Sequence, residues 1–297
     1  MKSRATALLM LVVILCGITA AVFGIWSGPT GDSFRVESVR GQDVEIYGRG
    51  LYQLDSAFRA PILIGTDMVT LVLAIPLLIT ALIWSSAGTL RARMFAVGIL
   101  AYFLYLSSSL AFGVMFNRLM PLYIVYFSAS LFAFIGALRS IDLQQLDYNL
   151  SPYLPRRTIA GFLFLAGLSL TVWLAELIPA AAGGTVPPHL GAYTTEITHV
   201  IDLGVLLPLA LLAAWLLLRR NPLGYLIAGP MLALNALIGP VVIAQTVVQR
   251  LHGVAITPME FTLFVLPFAA MSLLAALLWA ILLRGTTGDS ESTGTVA

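Results

Sequence analysis

Eight apolar stretches decide what this chain can become: residues 5–26, 63–86, 94–116, 120–138, 159–180, 196–218, 222–246 and 260–283. Each is close to or above the roughly 20 residues that a helix needs to cross a bilayer core. Inside hydrocarbon a segment must satisfy its own backbone groups, so runs of this length predict spanning helices. The expected fold is an all-α polytopic membrane protein, one transmembrane domain over residues 1–284 with eight spans. Composition agrees, with 59% hydrophobic and 10% charged residues, against about 25% charged in soluble domains. A soluble enzyme, a disordered scaffold and a nucleic-acid binder with a basic face are excluded, and the net charge is only +2.

Several chemistries fall away with the residue counts. Lys2 is the sole lysine, so no span can carry a retinal Schiff base. Cys16 is the sole cysteine, which removes an intrachain disulfide and any cysteine-based metal cluster. Of His189, His199 and His252, only His199 falls within a span, which argues against a bis-histidine haem. No GxxxxGK[ST] stretch is present. Which cofactor, if any, the protein uses is not legible in these counts.

Arginine placement orients the expected bundle. With the N-terminus inside, every short inner connection holds at least two arginines: Arg91 and Arg93, Arg156 and Arg157, Arg219 and Arg220. Both termini are then cytoplasmic. The first span lacks an A-x-A cleavage site and reads as an uncleaved helix. Fifteen arginines to one lysine suggest a prokaryotic source, and a cytoplasmic (inner) membrane is the expected location. Residues 285–297, rich in Gly, Ser and Thr, read as a disordered tail. The outer segment 27–62 alternates Phe34, Val36, Val44 and Ile46 with polar residues around Gly41-Gln42, the pattern of a β-hairpin. A hairpin alone is marginal in water, so it should rest on the helix ends as a cap or as a lid.

Acids collect on the outer side. Asp67, Glu176, Glu196, Asp202 and Glu260 lie within or at the edge of spans. A carboxylate at mid-bilayer costs roughly 2.5–3.5 kcal/mol on insertion scales. Glu196 and Glu260 sit at helix starts, where the helix dipole favours them. Asp67, Glu176 and Asp202 lie deeper. Glu196, His199 and Asp202 are spaced by three and fan over one side of the sixth helix. That series can order a helix end, form a proton- or ion-coupled binding site, or hold a metal. The Glu-x-x-His half of a di-iron bundle has no second copy, which leaves a single-metal site from His199, Asp202, Asp67 and Glu176, suited to Zn, Mn or Fe. Arg118, in a short outer turn, is the expected counter-charge, with Arg59 and Arg250 as alternatives.

The second and sixth spans read alike: Asp67, Pro76, Trp84 against Asp202, Pro208, Trp215. The likeness suggests a 4+4 parallel repeat with halves 1–140 and 159–284, placing Asp67 and Asp202 at equivalent depth. The seventh span carries Gly229-Pro230 and Gly239-Pro240 with Asn235 between. It reads either as a broken helix exposing backbone to a ligand or as a kinked helix satisfied by neighbours. The leading functional expectation is a small-solute or ion transporter or binding protein with an outward-facing polar cavity. Its expected binding residues are Asp67, Glu176, His199, Asp202, Arg118 and Asn235. A membrane-embedded metal-dependent hydrolase and a non-catalytic subunit or receptor are the alternatives. The lipid bilayer is the one expected partner besides a small ligand.

Overall fold

The computed structural model describes residues 4–28, 31–187 and 190–286. Lys2, His189, Asp289, Glu291 and residues 287–297 of the expected tail lie outside them, as does the Glu260 side chain. About 74% of the chain is helical. Among the described residues, eight helices are long and apolar enough to cross a membrane. They are α1 (Arg4–Trp26), α2 (Arg59–Ser85), α3 (Leu90–Gly113), α4 (Met120–Arg139), α6 (Arg156–Gly183), α7 (Ile197–Leu218), α8 (Pro222–Leu251) and α9 (Pro258–Arg284). A short helix, α5 (Leu143–Asn149), links α4 to α6. Strands β1 (Phe34–Glu37) and β2 (Asp43–Ile46) form an antiparallel hairpin with Phe34 opposite Ile46 and Val36 opposite Val44.

Local chemistry explains the starts and stops. Thr89 caps α3 by accepting from the Ala92 amide. Asp142 caps α5 and Asn221 caps α8, where Pro222 fills the first helical position. Gly184, at φ +62°, closes α6 with a left-handed residue. Two wide turns interrupt otherwise regular helices: Thr70–Ala74 in α2 and Asp202–Leu206 in α7 are π-helical. Each contains the carbonyl that a downstream proline cannot bond, Val72 for Pro76 and Gly204 for Pro208. A proline ring also crowds the carbonyl four residues back, and a π turn relieves that crowding by widening the helix.

Packing places α3 and α8 at the centre. Their spanning windows are 56% and 61% buried, against 33% to 44% for the other six. α4 packs on α1 and α3; α8 packs on α2, α3, α7 and α9; α6 packs on α7. Small residues allow the closest approaches, as usual between helices in lipid. A Cβ at Gly65 would lie 2.6 Å from the Gln245 backbone, which brings α2 and α8 into contact.

The hairpin rests on the helix ends, as expected. Val44 and Ile46 are buried, the Ala57 amide donates to the Glu45 carbonyl, and the Tyr47 amide donates to Asp55. Of the two readings of the proline-bearing helix, the one satisfied by neighbours holds, and the tail boundary shifts. α8 is continuous through Pro230 and Pro240, and the freed Ala236 carbonyl accepts from Ser272 Oγ of α9 at 2.5 Å. A neighbour thus satisfies backbone that a broken helix would have offered to a ligand. The tail does not loosen at 285: Arg91 donates to the Thr286 carbonyl at 3.0 Å, and the Ser151 amide donates to the Gly285 carbonyl at 2.8 Å.

Candidate functional site: two buried acid centres

Asp202 stands at the first residue of the π turn in α7 and is 6% exposed. Its carboxylate accepts from two neutral donors on two other helices. Tyr105 Oη of α3 donates to Oδ1 at 3.2 Å, and Trp173 Nε1 of α6 donates to Oδ2 at 3.0 Å. The Trp173 indole, at the end of a 3₁₀ turn in α6, also stacks on the His199 imidazole with ring centroids 4.3 Å apart. His199 is 7% exposed, and its Nδ1 has no hydrogen-bond partner among the described residues. Glu176 lies three residues beyond Trp173 on α6, and its buried Oε1 has no such partner either.

Glu196, the outermost member of the expected series, leaves that group. It pairs with Arg59 at 3.3 Å, and both side chains are 14% exposed. The Arg59 guanidinium also covers the Tyr193 ring at 4.3 Å. Arg59, offered by the sequence as an alternative, therefore makes the ion pair expected of Arg118. Arg118 is exposed and stacks over Phe23 at 5.0 Å. Asn235 donates to its own helix, at the Met231 carbonyl.

Asp67 forms a separate centre. It is 2% exposed and accepts from Tyr52 Oη at 2.7 Å. Gly24 of α1 lies directly against its carboxylate, where any Cβ would collide. One turn along α2, Thr70 Oγ1 donates to the Thr66 carbonyl, so the 2.9 Å contact with Tyr102 of α3 has the tyrosine as donor. Tyr102 and Tyr105 are three residues apart on α3; the first meets Thr70, three residues from Asp67, and the second meets Asp202.

The four residues expected to share a metal are therefore not brought together. Among the described residues, no three His, Cys, Asp or Glu side chains gather as a metal site would require. A cleft of about 420 Å³ opens elsewhere on the hairpin side, lined by Asp43, Glu45, Ser56, Phe58, Gly191 and His252 among others. None of Asp67, Glu176, His199 or Asp202 lines it.

Sequence reasoning passed over Trp173, Tyr52 and Asp55. Asp55 is 1% exposed, and its Oδ1 accepts from the Met115 amide at 3.0 Å and from Tyr193 Oη at 2.8 Å. Burial pushes this carboxyl up to about 6, although the Met115 amide, the Tyr193 hydroxyl and Arg59 all act to lower it. Burial, together with the Asp55 charge, pushes the Tyr193 phenol well above its usual value. Only Trp173 left a trace in the sequence, three residues before Glu176 in an otherwise apolar run. No protein-family model, curated protein or solved structure matches this chain.

Proposed function

We propose that this multi-pass membrane protein is a carrier for a small polar solute or ion, recognised on the hairpin side of α3, α6 and α7 by Asp202, His199, Trp173, Tyr105 and Glu176. The observation that carries this reading is the unmet His199 Nδ1 on the helix of the buried Asp202 carboxylate, its ring stacked on the Trp173 indole that bonds that carboxylate. An unpaired buried polar atom costs about 1–3 kcal/mol, and most buried polar groups have partners. An orphan imidazole nitrogen in such a place suits a ligand that supplies its partner. The π turn at Asp202 adds support, because such turns are frequent at functional sites. The stacked Trp173–His199 face gives an apolar wall, and Glu176 Oε1 favours a ligand with N–H or O–H donors.

The test begins with purified protein and a panel of small amines, amino acids, carboxylic acids and inorganic ions, read by thermal stabilisation. A compound that stabilises the wild type, loses its effect in His199→Ala and Asp202→Asn, and crosses proteoliposomes only with the wild-type protein supports the carrier. Binding that both variants retain would move the site elsewhere. Binding without passage would favour a receptor or subunit.

A further inference from the structure

Asp67 has surroundings that differ in kind from those of Asp202. Four elements close over it: Gly24 of α1, Tyr52 of the hairpin segment, Thr70 with Tyr102 at the α2–α3 contact, and the hairpin-side face of α4 with Tyr123 and Tyr126. The titratable groups facing it are thus tyrosines. α8 approaches α2 here through Gln245, which donates to Thr66 and does not ionise. Asp55 lies beyond Tyr52 in the same segment, turned to Met115 and Tyr193. Among the described residues no cationic side chain pairs with Asp67.

A charge in such a place must be matched. What can match it is limited by space and by ligands. The Gly24 backbone closes one side of the carboxylate. Hard cations such as Ca²⁺ and Mg²⁺ take about six or more oxygens, whereas the hydrogen bonding here supplies one phenol. A proton needs neither volume nor a ligand shell. Two further hydroxyls lie along α4. Tyr126 and Ser130, both 0% exposed and one turn apart, have hydroxyl oxygens without partners among the described residues. Buried polar groups of this kind are where ordered water resides.

We propose that Asp67 is a proton-exchange site in the α1–α4 half of the molecule, served by Tyr52 on the hairpin side and by the hydroxyls of Tyr126 and Ser130 toward the bilayer middle. A proton adds to the carboxylate, the centre passes from charge −1 to 0, and Tyr52 keeps its own proton. The site stands on its own geometry. Its link to a carried solute, through Tyr102 and Tyr105 on α3, rests on the carrier reading.

Infrared difference spectra of the purified protein between acid and alkaline buffer test the site without any solute. The expected result is a carboxylic C=O component, separate from that of Asp55, that grows on acidification, is lost in Asp67→Asn and persists in Asp202→Asn and Asp55→Asn. Tyr52→Phe, which removes a single hydroxyl, should shift the frequency of that band and move its titration midpoint. Spectra in which no pH-dependent carboxylic component is lost in Asp67→Asn overturn the proposal. So does a band unmoved by Tyr52→Phe, which also serves if Asp67→Asn fails to fold. In pyranine-loaded proteoliposomes, proton uptake should fall severalfold in Ser130→Ala, and unchanged uptake removes the route along α4. If the band behaves as expected while no solute is carried, the carrier reading fails and the proton site remains.

Discussion

Asp55 lies outside the spans, yet it is almost wholly buried and carries an elevated carboxyl. Its folded value of about 6 exceeds the roughly 3.9 of an unfolded aspartate. The native state therefore holds this proton more tightly. The corresponding stability is fully present below about pH 4 and is lost as pH rises through about 6, a swing on the order of 3 kcal/mol. Asp55→Asn keeps an oxygen to accept from Met115 and Tyr193 but cannot ionise. Thermal unfolding should therefore show a wild-type Tm that falls across that window and a flatter variant that melts higher at neutral pH. Equal slopes would remove Asp55 as the cause. Trp173 gives a second test, since Trp173→Phe keeps a ring against His199 and deletes the Nε1–H donated to Asp202. A loss of about 1.5–3 kcal/mol is expected for a bond to a charged group, measured by denaturant unfolding, and no loss would mean that water replaces the indole. These residues also mark the limit of what the sequence disclosed. The spacing of His199 and Asp202 on one helix is local and could be read. Their partners come from other helices, and Asp55 meets Tyr193 across 138 residues. Nothing local announces such a pair.

Among the elements, the long apolar runs were legible because chain length against bilayer thickness leaves few alternatives. The wide turns were not, although the prolines that produce them were in view. Pro76 and Pro208 each follow a π turn by the same interval, and superposing those turns sets Thr70 on Asp202 and Asp67 on His199. The sequence comparison had set Asp67 on Asp202. It counted from the acids, whereas the helix geometry is fixed by the prolines. A 4+4 repeat remains a proposal, and this is the register in which to look for it. Each π turn adds about one residue to its helix, so reverting it would rotate everything on its hairpin side by about 100°. Pro208→Ala restores the missing N–H and should let α7 regularise, carrying Asp202 away from Tyr105 and Trp173. Fluorine NMR of fluorotryptophan-labelled protein should then show the Trp173 line shifted, while Pro76→Ala leaves it in place. If both variants leave that line unmoved, the surrounding helices rather than the proline hold the turn.

At the scale of the whole molecule, α3 and α8 form the shared axis, and the hairpin side is tied together across it by one segment. Arg40 of the hairpin donates to the Tyr193 and Thr194 carbonyls, Tyr193 Oη reaches Asp55, and Arg59 pairs with Glu196 at the head of α7. The residues leading into α7 are thereby fastened to the start of α2, N-terminal to Asp202 on its own helix. On the proposed carrier reading this end of α7 would have to open for a ligand to enter, so the fastening should be weak enough to undo and strong enough to matter. Tyr193 is its central member, because its hydroxyl also accepts from the Ser56 amide at 3.2 Å. Tyr193→Phe removes both bonds and keeps the ring under Arg59. With about 1.4 kcal/mol lost, amide exchange in residues 190–196 should quicken about tenfold, while exchange in the middle of α3 stays unchanged. Exchange that accelerates throughout α3 and α8 as well would mean that the segment stabilises the entire bundle and does not move as a separate cover. Exchange that stays the same in 190–196 would mean that Arg40 and the Arg59–Glu196 pair hold the segment without the tyrosine, and the same measurement on Arg59→Gln would then locate the fastening.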